Sequence, residues 1–242
     1  MCTLAIALGS APRWPVIVAA NRDERLSRES EPWALRSGPG AIPYVAPRDA
    51  VAGGTWIGVS ASGLFAAVTN VFTGAPPDPT RRSRGELVGL ALAHAGVADA
   101  RRALADVAAS DFNPFHLAVA DADGAFLWRH DGTDPATFAA LGPGLHVVTE
   151  RGSGPLDARA RAVRAAWPAE PTPERLGALL ARHEPGEPIC IHFGDAYGTR
   201  SATVLRLSSD VSTSDLWTSD VAPCVALPED RSELLRAVAV PG

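Results

Sequence analysis

Lysine is absent from this 242-residue chain: all 22 basic residues are arginine. That excludes a lysine general base and Schiff-base chemistry at the outset. Cysteine is scarce. Cys2, Cys190 and Cys224 form an odd, widely spaced set, which argues against a disulfide framework and for a reducing compartment. There is no Cys-x-x-Cys and no His-x-x-x-His, so the spacings give no metal site. No apolar run approaches the length of a membrane-spanning helix, and the short run Thr3–Leu8 lacks the basic flank of a signal peptide. A soluble, cytoplasmic protein is therefore expected. The formal net charge of −5 gives no support for a nucleic-acid partner. Internal repeats, low-complexity segments and an obvious linker are also missing, so residues 1–242 are read as a single domain.

What is present is concentrated near the N-terminus. Val16–Ala20 reads as a short buried strand that ends in Asn21-Arg22-Asp23-Glu24. Such a strand tip is costly unless each polar group finds a partner. Thr3–Leu8 reads as a second apolar strand, and Gly9–Pro15 is a turn-rich connection between the two. An antiparallel pairing brings Cys2 beside Asn21–Glu24. Met1 precedes a small side chain, so its removal would leave Cys2 with a free α-amino group. An N-terminal cysteine carries both halves of a catalytic pair, a thiol nucleophile and an amine base with an unperturbed pKa of about 7.7–8.0. The alternative is a Cys2 that is only a buried strand residue, which is also the reading of Cys190, set between Ile189 and Ile191. Cys224 has no partner that the sequence names. Arg22 is the local cation able to depress the Cys2 pKa, and Glu24 reads as a loop or salt-bridge residue.

Further along, Arg25–Arg48 is rich in proline and charge and reads as a long surface loop. In it Trp33 and Tyr44 either wall a pocket or anchor the loop to the core. Gly53-Gly54-Thr55-Trp56-Ile57-Gly58 enters a hairpin whose return strand, Leu64–Asn70, ends on an asparagine as the strand ending at Asn21 does. Helical spacing appears from Ser83, with a break near Gly96, and again over Pro155–Trp167 and Thr172–His183. Strands are expected over Asn113–Asp121, Ala125–His130, Leu145–Thr149, Ile189–Phe193, Ser201–Leu207 and Asp215–Thr218, with a last helix over Glu229–Ala237. His94 reads as a packed or surface residue. His116 and His192 alternate with apolar residues and read as core or pocket lining. Strand pairs alternating with helix pairs point to sheets sandwiched between helices, an α+β class.

Met1-Cys2-Thr3, Ala20-Asn21-Arg22-Asp23-Glu24, Gly53–Gly58 and Thr69-Asn70 resemble, in this order, the NRDE (transport and Golgi organisation 2-like) family. The resemblance continues through Arg82-Ser83-Arg84-Gly85, Asn113–Leu117 and Tyr197-Gly198-Thr199-Arg200-Ser201. The family is similar to the N-terminal-nucleophile hydrolases of the penicillin V acylase and bile salt hydrolase type. That similarity implies a four-layer αββα sandwich of two antiparallel sheets flanked by helices. It also implies an amide hydrolase with Cys2 as nucleophile, Asp23 holding the thiol and amine in register, Asn70 as oxyanion donor, and Asn21 positioning Asp23 or the substrate. Arg200 is implied as a carboxylate-binding or cluster-completing residue. One departure stands out: Glu150 lies where the family usually has asparagine, and an ionised carboxylate cannot donate to an oxyanion. No cofactor is expected on this reading, and the partner is a small molecule. The family's links to haem trafficking and to lipid or acyl-CoA handling give the competing expectation of a non-catalytic carrier, with haem as cargo. No histidine or cysteine spacing singles out an iron ligand.

Overall fold

The computed structural model describes residues 2–133, 135–152, 157–183, 186 and 188–239. Met1, whose removal the nucleophile reading requires, and the start of the helix expected from Pro155 lie outside the described residues.

The first sheet is built on β1 (Cys2–Ala11) and β2 (Trp14–Arg25), which pair antiparallel with Cys2 opposite Arg22 and Ile6 opposite Val18. To these are added β10 (Gly144–Thr149), β11 (His192–Phe193), β12 (Tyr197–Leu207), β13 (Asp215–Ser219) and β14 (Glu229–Asp230). The order is β10-β1-β2-β12-β13-β14, with β11 also paired to β12. The second sheet runs β3 (Ser30–Arg36), β4 (Tyr44–Asp49), β5 (Ile57–Ser60), β6 (Phe65–Asn70), β7 (Phe115–Ala120), β8 (Ala125–His130) and β9 (Thr137–Ala140), in sequence order and antiparallel throughout.

The near-continuous apolar runs of β1 and β2 follow from burial on both faces. Leu4, Ile6, Leu8, Val16 and Val18 meet Val59, Phe65, Ala67 and Leu127 of the other sheet. The alternate residues Ala5, Ala7, Ile17 and Ala19 face outward, under α3 (Ala158–Ala166) and α4 (Pro173–Leu180). On the opposite side α1 (Gly85–Leu92) and α2 (Val97–Ala105) cover Leu64, Ala66, Val68, Leu117 and Val119. The layers are therefore helix, sheet, sheet, helix. The helix α5 (Ser232–Ala239) inserts Leu235 and Val238 into the inter-sheet core. Local chemistry sets the helix starts: Thr172 caps α4 with Pro173 behind it, and the Asp157 carboxylate accepts from Ala160 N–H at the start of α3.

Three expectations need correction. Arg25–Arg48 is not a loop but carries β3 and β4. Proline and charge are tolerated there because β3 is an edge strand, and its charges are satisfied locally, with Glu31 bridging Arg36 at 2.7 Å and Arg48 at 3.0 Å. Trp33 accordingly packs against the inter-sheet core. The strand expected over Ile189–Phe193 shrinks to His192–Phe193, because Ile189 and Cys190 bend back to donate their N–H groups to the Arg182 carbonyl at 3.1 and 2.8 Å. The last helix begins at Ser232, after Glu229–Asp230 has paired with β13.

Candidate active site

The site lies where β1 and β2 of the first sheet face the end of β6 in the second. By strand alternation Cys2 and Arg22 point between the sheets, while Thr3, Asn21 and Asp23 point outward to α3 and α4. The NRDE tetrapeptide is thus split between two surroundings.

On the inner side, the half-buried Cys2 and the buried Arg22 line a cleft of about 490 Å³, together with Asp23, Glu24, Asp49, Trp56, Asn70, Arg81, Arg82 and Arg84. The Arg22 guanidinium stacks over Trp56 at 4.0 Å from the ring centroid. Its Nη1 has no hydrogen-bond partner among the described residues. Burial holds Arg22 below the ordinary guanidinium range, against the pull of Glu24. Burial likewise pushes the Cys2 thiol up, and the Asp23 charge adds to that, while the Asp23 backbone and Arg22 work against it. Behind Cys2 a small recess of about 20 Å³ is walled by Leu4, Ala20, Trp56, Ile57, Ala67 and Val68. Asn70 ends β6 on the cleft wall.

On the outer side, Asp23 is 2% exposed. Its Oδ1 accepts from Thr199 Oγ1 at 2.6 Å, its Oδ2 pairs with Arg159 Nη1 at 2.9 Å, and its carbonyl accepts from the Tyr197 hydroxyl at 2.9 Å. Burial nevertheless pushes the Asp23 carboxyl up to about 7, with Arg159 and Thr199 pulling the other way. Asn21 turns away from the cleft: its Nδ2 donates to the carbonyls of Leu180 and Ile189 at 2.9 and 3.0 Å. These bonds tie the end of α4 and the segment at Ile189 to the sheet, and Asn21 also lines the recess behind Cys2.

Glu150 is buried beneath this cluster, 3.8 Å from Arg159 Nη1. It faces the adjoining pocket with Asn70, Phe72 and Tyr197. Arg200 is the extra residue of a bulge in β12, between Thr199 opposite Asp23 and Ser201 opposite Arg22. Its guanidinium donates to the carbonyls of Leu26 and Arg28, and its charge is felt by Arg22 at the cleft. Tyr197 and Thr199 of the same block make the contacts to Asp23. Arg159 and Arg84 carried no role in the sequence reading. Arg159 sits in an arginine-rich helical stretch that nothing distinguishes by pattern. Arg84 did lie in a motif block, and its place at the head of α1 puts it on the cleft, braced by the Pro114 carbonyl at 3.0 Å. His116 sits in the inter-sheet layer, 3.5 Å from Thr69 Oγ1, and burial with Arg129 nearby lowers it to about 4.

The fold also brings together four side chains that no familiar metal-binding spacing links. His183, Cys190, His192 and Cys224 present ligand atoms that all lie within 4.8 Å of one another. Cys224, without a partner in the sequence reading, has Cys190 Sγ at 3.6 Å.

The family model described as transport and Golgi organisation 2 matches residues 1–165. The chain belongs to this family. The matched residues hold the whole second sheet together with β1, β2 and β10. No curated protein matches the sequence. Among solved structures, the fold of this family member is shared with a Caenorhabditis elegans N-acylethanolamine-hydrolyzing acid amidase ortholog, at TM-score 0.61 and 16% identity over 85% of this chain and 92% of that one. Penicillin V acylase from Agrobacterium tumefaciens is similar at TM-score 0.56 and 16% identity, over 91% and 83% of the two chains. A mutant conjugated bile acid hydrolase from Clostridium perfringens is similar at TM-score 0.52 and 9% identity, over 91% and 89%. At these identities the likeness establishes the N-terminal-nucleophile hydrolase fold. Among the described residues no helix is long and apolar enough to cross a membrane.

Proposed function

We infer that this protein is a cysteine N-terminal-nucleophile amidohydrolase acting on a small carbon–nitrogen amide that carries an anionic group. The observation that carries this is the pairing of Cys2 with Arg22 across the β1–β2 register, with a buried guanidinium nitrogen left unpartnered at the cleft. A buried cation with a free donor is costly unless an anion uses it. Most other arginines of the cleft are already engaged: Arg28 with Asp49 at 2.7 Å, Arg82 with Glu86 at 2.9 Å and Arg81 with Asp78 at 3.7 Å. Arg22, Arg84 and the exposed Arg25 therefore remain to attract substrate.

In this reading, removal of Met1 exposes the α-amine of Cys2. The amine takes the thiol proton as Sγ attacks the amide carbon, then passes it to the departing amine nitrogen. Asn70 Nδ2–H faces the developing oxyanion, a role worth about 2.7–4 kcal/mol where such donors have been removed. Water then hydrolyses the thioester with the same amine as base. Asp23 is the anchor that fixes the end of β2. The recess behind Cys2 has room for a small acyl substituent, while a long acyl chain has to lie in the larger cleft. The likeness to amidases and acylases supports the reaction class.

The carrier reading is weaker for haem. Among the described residues the cleft is lined by no histidine, so Cys2 is its one soft iron ligand. The deciding experiment measures alkylation of each cysteine against pH by peptide mass spectrometry, followed by a screen of acyl amides with Cys2→Ala as control. A free-amine Cys2 labelled faster than Cys224, with turnover lost in Cys2→Ala, supports the hydrolase. Retained Met1, with ligand binding indifferent to Cys2, supports a carrier.

A further inference from the structure

We propose that His183, Cys190, His192 and Cys224 form a four-coordinate zinc site that fastens the segment after α4 to β12 and to the turn that carries Cys224. The argument is geometric. With Zn–S near 2.3 Å and Zn–N near 2.0–2.1 Å, a tetrahedral site has S···S edges of about 3.8 Å and S···N edges of about 3.5 Å. Cys190 Sγ lies 3.6 Å from Cys224 Sγ, and His192 Nε2 lies 3.5 Å from the first sulfur and 3.3 Å from the second. The ring of His183 stands 5.2 Å from that of His192, centre to centre, and its ligand atom falls within the same 4.8 Å set. Three edges thus match a tetrahedron to within about 0.3 Å, and the His183 ring supplies a fourth donor nearby. Two thiols and two imidazoles are the donor set that favours zinc over hard cations. Binding releases two thiol protons and gives a neutral centre, so no further counter-charge is required.

Cys190 and His192 stand two residues apart and Cys224 lies 32 residues beyond His192, so no familiar metal-binding spacing announced the set. The backbone around them is firmly held. Cys190 N–H donates to the Arg182 carbonyl at 2.8 Å, His192 pairs with Gly198, and Ala222 accepts from Val225 and Ala226 to close the turn around Cys224. At Gly198 a Cβ would stand 2.7 Å from the Ile191 carbonyl oxygen, so the close approach of β11 to β12 requires glycine. Four protein ligands leave no open position, which makes the site structural. It is also tied to the NRDE strand. Ile189, next to Cys190, gives its carbonyl to Asn21 Nδ2, and Ile191 N–H donates to the same Thr199 Oγ1 that donates to Asp23. Zinc held here supports the outer side of the candidate active site without touching the cleft.

The test is metal content of the full-length protein, purified reduced, exposed to zinc and desalted. The expected result is one zinc per chain, unchanged in Cys2→Ser and lost in His183→Ala and Cys224→Ser. His183 is exposed, so its substitution does not disturb the core. Cobalt in place of zinc is expected to give thiolate charge-transfer absorption and the intense visible bands of a tetrahedral ion, and chelation is expected to lower Tm. Less than about a tenth of a zinc per reduced wild-type chain overturns the proposal. So does full zinc content in a Cys190→Ser, Cys224→Ser double variant, or a Cys190–Cys224 disulfide in protein kept under reductant.

Discussion

Arg22 and Asp23 are neighbours in sequence and opposites in surroundings. One faces the cleft between the sheets and the other is locked under α3, and burial works against the charge of both. For Asp23 the consequence has a definite sign. Its folded pKa of about 7 lies above the ordinary carboxylate value, so between pH 4 and 7 the native state holds a proton that the unfolded state has lost. Stability contributed by the protonated form is complete at low pH and declines as pH rises through that window. The stability of Asp23→Asn relative to wild type should therefore rise between pH 4 and 7, by up to roughly 4 kcal/mol at 1.36 kcal/mol per unit, measured by urea unfolding at each pH. A flat difference would show that Asp23 ionises normally. Arg22 lowers the pKa of Cys2, so Arg22→Met should move the pH midpoint of Cys2 alkylation upward while leaving that of Cys224 in place. At this scale the sequence was a partial guide. Cys2, Arg22, Asp23 and Asn70 lie around one cleft, and the motif blocks led to them. Asn21 and Arg200 are held by backbone carbonyls, because strand parity turns Asn21 to the helices and a bulge shifts Arg200, and neither feature is written in residue type.

The elements show where local pattern suffices and where it fails. β1 and β2 were legible because apolar runs buried on both faces have few alternatives, and α4 because Thr172-Pro173 is a strong start. β3 and β4 were hidden because an edge strand of the second sheet is allowed the proline and charge that otherwise mark a loop. Close approaches between elements are the most sensitive points. A Cβ on Gly54 would stand 2.7 Å from the Gly85 carbonyl carbon, at the head of the helix that holds Arg84 on the cleft. Gly54→Ala should cost about 1–3 kcal/mol by overpacking, and should weaken ligand binding beyond what stability loss explains, as calorimetric titration below Tm would reveal. Thr199→Val removes the donor to Asp23 and the acceptor for Ile191 N–H together. It should destabilise by about 2–3 kcal/mol, hydrogen bonds to charged groups being the stronger kind, and thermal unfolding would reveal it.

At the scale of the whole molecule, two sheets and two helical layers divide the labour. The first sheet supplies Cys2 and Arg22 to the cleft, the second supplies Asn70, and α1 adds Arg84. The outer layer at α3 and α4 fixes Asp23 and Asn21 without entering the cleft. β2 is paired on both sides from Val16 to Arg22, by β1 and by β12. Its amides there can exchange with solvent only when the first sheet comes apart, so in deuterium Asn21 and Arg22 should be among the last positions to label, on the timescale of global unfolding. A cleft wall mounted on such a strand does not reshape itself around what arrives. Association should be a single fast step whose rate varies little among guests of like charge, and discrimination among those guests should be written almost wholly in how quickly they leave.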